Sequence, residues 1–292
     1  MGKVTLLNEY LRKKYGCKVY KIALNGGFTC PNRDGKIDNR GCIFCSAGGS
    51  GEFAENAALS VTDQIERGKE RVAKKVKDGR YIAYFQAYTG TYGPLEKLRA
   101  LFTEAIENPD IAVLSVATRP DCLPDEVIDL LAELNTIKPV WIELGLQTIH
   151  ERTAAYIRRG YDLDVYDRAV RALKERGIEV ITHLIIGLPG ESRQDIIDSV
   201  KYVCESGADG IKLQLLHVLR GTDLEKEFCE GRFGVLSEDE YIDILKSCVS
   251  IIPQNVVVHR LTGDGDKKLL VAPLWSGNKK RVWNRIQREV LV

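Results

Sequence analysis

Three cysteines stand together in a glycine-rich stretch: Cys30, then Cys42 and Cys45 in Gly41-Cys42-Ile43-Phe44-Cys45, a C-x11-C-x2-C spacing. Thiolates are soft ligands for iron–sulfur clusters or zinc. A structural zinc site closes with four ligands. No fourth cysteine lies nearby, and the four histidines (His150, His183, His217, His259) are all distant in sequence. A 4Fe–4S cluster held by three thiolates leaves one iron open, an arrangement for chemistry on a bound molecule. On spacing alone, zinc completed by a distant residue and plain thiols stay open. The other cysteines are scattered, and Cys204 and Cys248 fall on apolar helix faces.

The elements that must position this loop alternate in type. Strand-like runs occur at 22–24, 81–85, 112–116, 140–146, 180–186, 210–216 and 256–259. Between them lie stretches of helical period, among them Leu95 to Ile106 behind Pro94, and Val165 to Leu173. Ser192 with Asp195, and Ser237 with Glu240, have capping-box spacing before two more helices. Such alternation predicts parallel βαβ units. The first strand leads into Asn25-Gly26-Gly27-Phe28-Thr29-Cys30, not a dinucleotide-binding glycine turn. The expected fold is α/β, a partial (β/α)6 TIM-like barrel in one domain of residues 1–292. Its core spans about 18–220 and a C-terminal extension about 221–292. Chemistry is expected at the C-terminal strand ends.

The 292 residues are 44% hydrophobic and 28% charged, an ordinary globular composition. No apolar run approaches the length of a membrane span and the N-terminus has no signal-peptide apolar region, so the expected location is cytoplasmic, without a membrane partner. In a reducing compartment the eight cysteines are expected as thiols or ligands rather than disulfides. The net charge of +1 excludes a globally basic nucleic-acid binder. Local basic runs remain: Arg12-Lys13-Lys14, residues 66–80, and residues 279–288 with Trp283 interleaved. They are candidate phosphate contacts or solvated helix faces.

The chain resembles radical S-adenosylmethionine (SAM) enzymes of the YhcC/YtqA-like family, related to the elongator catalytic subunit and to oxygen-independent coproporphyrinogen oxidase. The resemblance is carried by residues 27–35, 41–45, 84–89, 117–121, 143–148, 183–191 and 259–265 in that order. The long first spacing departs from the usual C-x3-C-x2-C and is shared by this branch.

The resemblance implies Cys30, Cys42 and Cys45 as ligands of a 4Fe–4S cluster whose open iron binds SAM. It places Phe44 against adenine. Tyr88 and Thr89 stand where relatives carry a turn that receives the SAM ammonium, and Gln147 can bond ribose hydroxyls. Arg159 would clamp the SAM carboxylate. His183 stands at a ribose-contact position, and the turn from Gly187 to Glu191 approaches the adenine edge. Ala117 replaces a glutamate of elongator-like relatives, which leaves Arg119 or Asp121 as substitutes. Cys122, after the third strand, is a candidate hydrogen-atom donor or substrate contact. The implied substrate is tRNA, modified at C5 of the wobble uridine (carboxymethylaminomethyl to aminomethyl), with flavodoxin or ferredoxin as electron donor. A radical SAM reaction on a porphyrin or amino acid, and a zinc-stapled nucleic-acid-binding module, are the rival readings.

Overall fold

The structure is a computed structural model that describes residues 4–49, 51–74, 79–263 and 265–291. The first half runs α1 (Leu7–Tyr15), β1 (Lys18–Leu24), α2 (Val61–Val72), β2 (Gly79–Phe85), α3 (Leu95–Glu107), β3 (Ile111–Thr118), α4 (Asp125–Asn135) and β4 (Val140–Gln147). It continues with α5 (Glu151–Tyr156), α6 (Leu163–Glu175), β5 (Glu179–Ile186), α7 (Arg193–Glu205) and β6 (Gly210–Leu215). The last part comprises β7 (Val218–Leu219), α8 (Asp223–Cys229), α9 (Glu238–Ile251), β8 (Val257–Arg260), β9 (Leu270–Ala272) and α10 (Lys279–Glu289).

Seven strands form one sheet in the order β1-β2-β3-β4-β5-β6-β8, every pairing parallel. The expected partial α/β barrel is therefore present, and the C-terminal part of the chain adds its seventh strand. β7 and β9 form a small separate antiparallel pair. Both capping boxes foreseen at Ser192 and Ser237 are made. No helix among the described residues is long and apolar enough to cross a membrane.

The sheet must curl. Lys21 of β1 and Lys212 of β6 both reach the carboxylate of Glu143 on β4. In a flat sheet three strand spacings of about 4.8 Å separate β1 from β4, so only curvature brings these side chains to one point.

Period-two alternation then sorts residues into layers inside the curl. Val19, Ile82, Val113, Trp141 and Ile181 form an apolar layer, sealed by Leu11 of α1. One step along each strand come Lys21, Tyr84, Ser115, Glu143, His183 and Lys212, a polar layer. The opposite strand faces carry Ile22, Leu114, Ile142, Val180 and Leu213 into the main core beneath the helices.

Helix-to-sheet contact is close at Gly68 of α2, where a Cβ would come within 2.2 Å of Ile22 Cγ2. Ile22 is β-branched and stiff. Gly68→Val is expected to lower the unfolding free energy by about 2 kcal/mol, read as a lower urea midpoint at unchanged m-value.

Candidate active site

The loop after β1 carries the three cysteines over the open end of the barrel. Cys30, Cys42 and Cys45 are free thiols that line one cavity of about 160 Å³. Its floor is the polar layer (Tyr84, Glu143, His183, Lys212), and Gln86, Gln147, Gln214 and Arg260 line its wall. An adjoining cavity of about 170 Å³ shares Phe44, Cys45, Gln86, Gln147, His183, Gln214 and Arg260. Together the two approach the few hundred Å³ of a small-ligand pocket.

Polar side chains fasten the loop to the strand ends. Asn32 Nδ2 donates to the Arg158 carbonyl at 2.7 Å and lies 3.4 Å from Cys42 Sγ. Arg33 Nη2 donates to the carbonyls of Cys45 and Ser46 at 2.8 and 2.6 Å. Tyr88 Oη donates to the Ala47 carbonyl at 2.7 Å, and the Tyr88 amide donates to the Gly49 carbonyl at 2.8 Å. Gly49 lies on the Tyr88 ring so closely that a Cβ there would fall 2.4 Å from Tyr88 Cδ1.

Two of these strand-end residues hold unusual backbone: Tyr88 at φ 58° and Gln147 at φ 71°. Non-glycine residues adopt this left-handed region at a cost and do so where surrounding structure enforces it, often at functional sites. Burial pushes the Cys42 thiol up and the Cys45 thiol up to about 12, so their thiolates need a compensating cation. Among the described residues, no three His, Cys, Asp or Glu side chains converge where a single metal ion would sit.

Below the loop, Glu143 is fully buried. Oε1 accepts from Ser115 Oγ at 2.8 Å and from Lys21; Oε2 accepts from Lys212 and lies 2.8 Å from His183 Nε2. Lys21 and Lys212 hold this carboxylate well below the usual range, against the opposing effect of its burial. Burial, reinforced by the Lys212 charge, pushes the His183 imidazole down to about 4.

Most of the expected site residues meet at this cavity. Phe44, Tyr88, Thr89, Gln147, Arg159 and His183 line it with the three cysteines. Four are placed differently from the rest. Arg159 lines the cavity, but its donors are used within the protein in this arrangement. Nε bonds the Tyr161 carbonyl at 2.9 Å, Nη1 the Thr148 carbonyl at 2.7 Å, and Nη2 the Glu151 carboxylate at 3.2 Å.

Gly187 and Glu191 lie outside the cavity: Gly187 sits beneath Leu236, and Glu191 accepts from Thr148 Oγ1. Cys122 lines a separate outer cleft of about 860 Å³, with Phe28, Tyr92 and Pro94. Arg119 is the guanidinium nearest the cysteines' electrostatics: it draws the Cys42 thiol downward and pairs with Asp121 at 2.7 Å.

Lys21, Lys212 and Gln214 were not anticipated. Their signal is in the sequence, since a lysine inside Gly210-Ile211-Lys212-Leu213 alternates inward among apolar neighbours. The basic runs are ion-paired in good part. Lys14 meets Glu179, Lys69 meets Glu66 and Asp110, and Arg281 and Arg285 meet Glu238. Residues 75–78 of the 66–80 run lie outside the described residues.

The His183 shift carries a pH signature. An imidazole depressed in the fold and near 6.5 when unfolded contributes stability that is present above pH 6.5 and lost as pH falls toward 4. The His183 share of the decline in urea midpoints over that window is up to about 3 kcal/mol; His183→Gln should remove that share and leave the part due to His259, which burial also holds well below the usual range.

Comparison with known proteins agrees with this geometry. The Radical SAM superfamily profile matches residues 39–203 and the Radical_SAM C-terminal domain profile residues 208–291. The uncharacterized protein YtqA of Bacillus subtilis (strain 168) is 47% identical over 284 residues, 97% of this chain and 88% of that protein. Protein YhcC of Escherichia coli (strain K12) is 39% identical over 279 residues, 94% of this chain and 88% of that protein. A tRNA uridine(34) acetyltransferase of Methanocaldococcus jannaschii is 29% identical over 154 residues, 52% of this chain and 28% of that protein. The solved Elp3 of Methanocaldococcus infernus superposes with a TM-score of 0.69 at 19% identity, covering 94% of this chain and 64% of that one. The chain thus spans under two thirds of that archaeal structure and under a third of the acetyltransferase. A family profile that covers more than half of the chain sets aside the zinc-stapled module: this protein belongs to the radical SAM superfamily and is a radical SAM enzyme, in a family that implies a 4Fe–4S cluster and SAM.

Proposed function

We propose that Cys30, Cys42 and Cys45 hold the 4Fe–4S cluster, that SAM occupies the cavity beneath it, and that the enzyme acts on tRNA. The reaction site would be the C5 side chain of the wobble uridine, converted from carboxymethylaminomethyl to aminomethyl. The carboxymethyl carbon would lose a hydrogen atom and an electron, with SAM as the net two-electron acceptor. Hydrolysis of the resulting imine would release the two-carbon fragment as glyoxylate and leave the amine. The carrying observation is that three thiols of one loop face a single cavity floored by the barrel's polar layer. A cluster spreads its thiolates over separate irons, so it does not require them to converge on one point. Bound together, cluster and SAM would supply reductive one-electron cleavage of the sulfonium and, through it, hydrogen-atom abstraction from the substrate.

The chain's own groups orient and shield. Arg33 and Asn32 fix the cysteine loop, and Tyr88 buttresses it from the strand end. Phe44 offers an apolar face to adenine. Gln147, an amide with no hydrogen-bond partner among the described residues, can both donate to and accept from ribose hydroxyls. Arg119 takes the role of the cation beside the SAM carboxylate, with Asp121 holding its fork in place. The tRNA part draws support from the name of the acetyltransferase relative. A flavodoxin or ferredoxin would deliver the electron.

The test is anaerobic reconstitution followed by dithionite reduction with SAM, with and without tRNA carrying carboxymethylaminomethyluridine. Wild type should retain iron and form 5′-deoxyadenosine, faster with the tRNA. Cys30→Ala, Cys42→Ala and Cys45→Ala should each lose the cluster. Intact cluster in any one variant would overturn the ligand assignment. Turnover indifferent to tRNA but stimulated by a porphyrin or an amino acid would overturn the substrate.

A further inference from the structure

We infer that the cavity floor is a receptor for a carboxylate carried by the substrate, with Lys212 as its cation and the Gln86 and Gln214 amides beside it. The inference deepens the proposed function and rests on it, because the C5 side chain named there ends in a carboxylate.

The argument begins with charge. Five cationic residues line the cavity: Arg33, Arg119, Arg159, Lys212 and Arg260. Glu143 is the one carboxylate among the described lining residues. Arg33, Arg119 and Arg159 are engaged by loop carbonyls, Asp121 and Glu151 respectively. They also belong to the cysteine side of the cavity.

At the floor the balance differs. Glu143 is shared by two lysines, Lys21 and Lys212, and its remaining acceptor positions take Ser115 and His183. One carboxylate balances only one ammonium, and burial pushes Lys21 down and Lys212 well below the usual lysine range, so a further anion arriving in this layer would favour the charged form of the second lysine. Lys212 is 3% exposed. Its amine bonds Glu143 and lies 3.3 Å from the Tyr84 hydroxyl, with Lys21 also within hydrogen-bond reach, and it lines the cavity where a ligand would meet it.

The second observation is independent of charge. Gln86 ends β2 and Gln214 lies on β6, and both line the two adjoining cavities. Neither side-chain amide has a hydrogen-bond partner among the described residues. Both amides open on the cavity that Lys212 also lines, so a polar ligand there would find three donors on one side of it. Carboxylate oxygens accept from both ammonium and amide N–H. The depth of the floor, beneath the SAM position, would bring a side chain anchored there past the reactive carbon.

The test is binding of two anticodon stem-loop RNAs to the cluster-loaded enzyme. One carries the carboxymethylaminomethyl group at the wobble uridine and the other its neutral carboxamide. Wild type should bind the carboxylate roughly tenfold or more tightly than the carboxamide, the scale of one charge-assisted hydrogen bond. Lys212→Met should bind both RNAs alike, and Lys212→Arg should keep part of the preference. A residue with only a structural role would weaken both RNAs equally and preserve the preference. Wild type binding both equally would overturn the carboxylate receptor and leave the tRNA reading standing. Preference retained in Lys212→Met would overturn the assignment of Lys212. Binding of neither RNA would overturn the tRNA reading and the receptor with it. The wild-type comparison needs no variant, so a misfolded Lys212→Met leaves the inference open to refutation.

Discussion

A single buried carboxylate organises the interior of this barrel. Glu143 accepts from groups on β1, β3, β5 and β6 while itself standing on β4. An ionised carboxylate buried without partners is untenable, and one that loses a partner is strongly destabilising. The four donors must therefore converge, and the curl of the sheet is the geometry in which they do. The same convergence puts a polar layer above the apolar one of Trp141 and Ile181, so the barrel is solid at one end and chemically equipped at the other. The cavity exists because the strands continue beyond this layer and the cysteine loop closes over them.

How that loop is held follows from its composition. The described residues of 30–60 contain no helix or strand, so their backbone groups must find partners elsewhere. They find them on the rim. Asn32 reaches the Arg158 carbonyl, the Ile43 amide bonds the Ile157 carbonyl, and the Leu224 amide bonds the Ile43 carbonyl. Arg159, buried and turned on the carbonyls of Leu146 and Thr148, ties the β4 end to the same segment. Its part is to shape the rim that receives the loop, which explains why a guanidinium with no free donor stands beside the cavity.

Much of the fold was legible because its strands are apolar and its helices amphipathic. All seven apolar runs fall on strands of the sheet; five are extended by one to four residues, 210–216 ends one residue early, and 256–259 is shifted by one. The curl was not legible as such, since it depends on a pairing between Lys21, Glu143 and Lys212 that are far apart in sequence. Helix α4, from Asp125 to Asn135, has no side-chain cap and follows Pro124. The cysteine spacing pointed to the loop that lines the cavity, whereas the reach of Arg159, Gly187 and Glu191 depended on turns no pattern encodes. Cys122 shows the limit well. It follows the correct strand end, but a single 3-10 turn from Pro120 to Cys122 carries it to the outer cleft.

The two halves of the cavity thus have different origins and different electrical characters. The upper half is made by a loop whose thiols are pushed toward their neutral form by burial and drawn back by Arg119 and Arg33. Those cations suit a thiolate-bound cluster, which is anionic. The lower half is made by strands and gathers Lys21 and Lys212 around the single carboxylate of Glu143, while burial pushes both lysines down from their usual range. An anionic group lying there would favour their charged forms. In the proposed arrangement the SAM carboxylate would meet the upper set. The lower set would then be met by what reacts, so the interior of the barrel would favour a substrate that carries an anionic group into it.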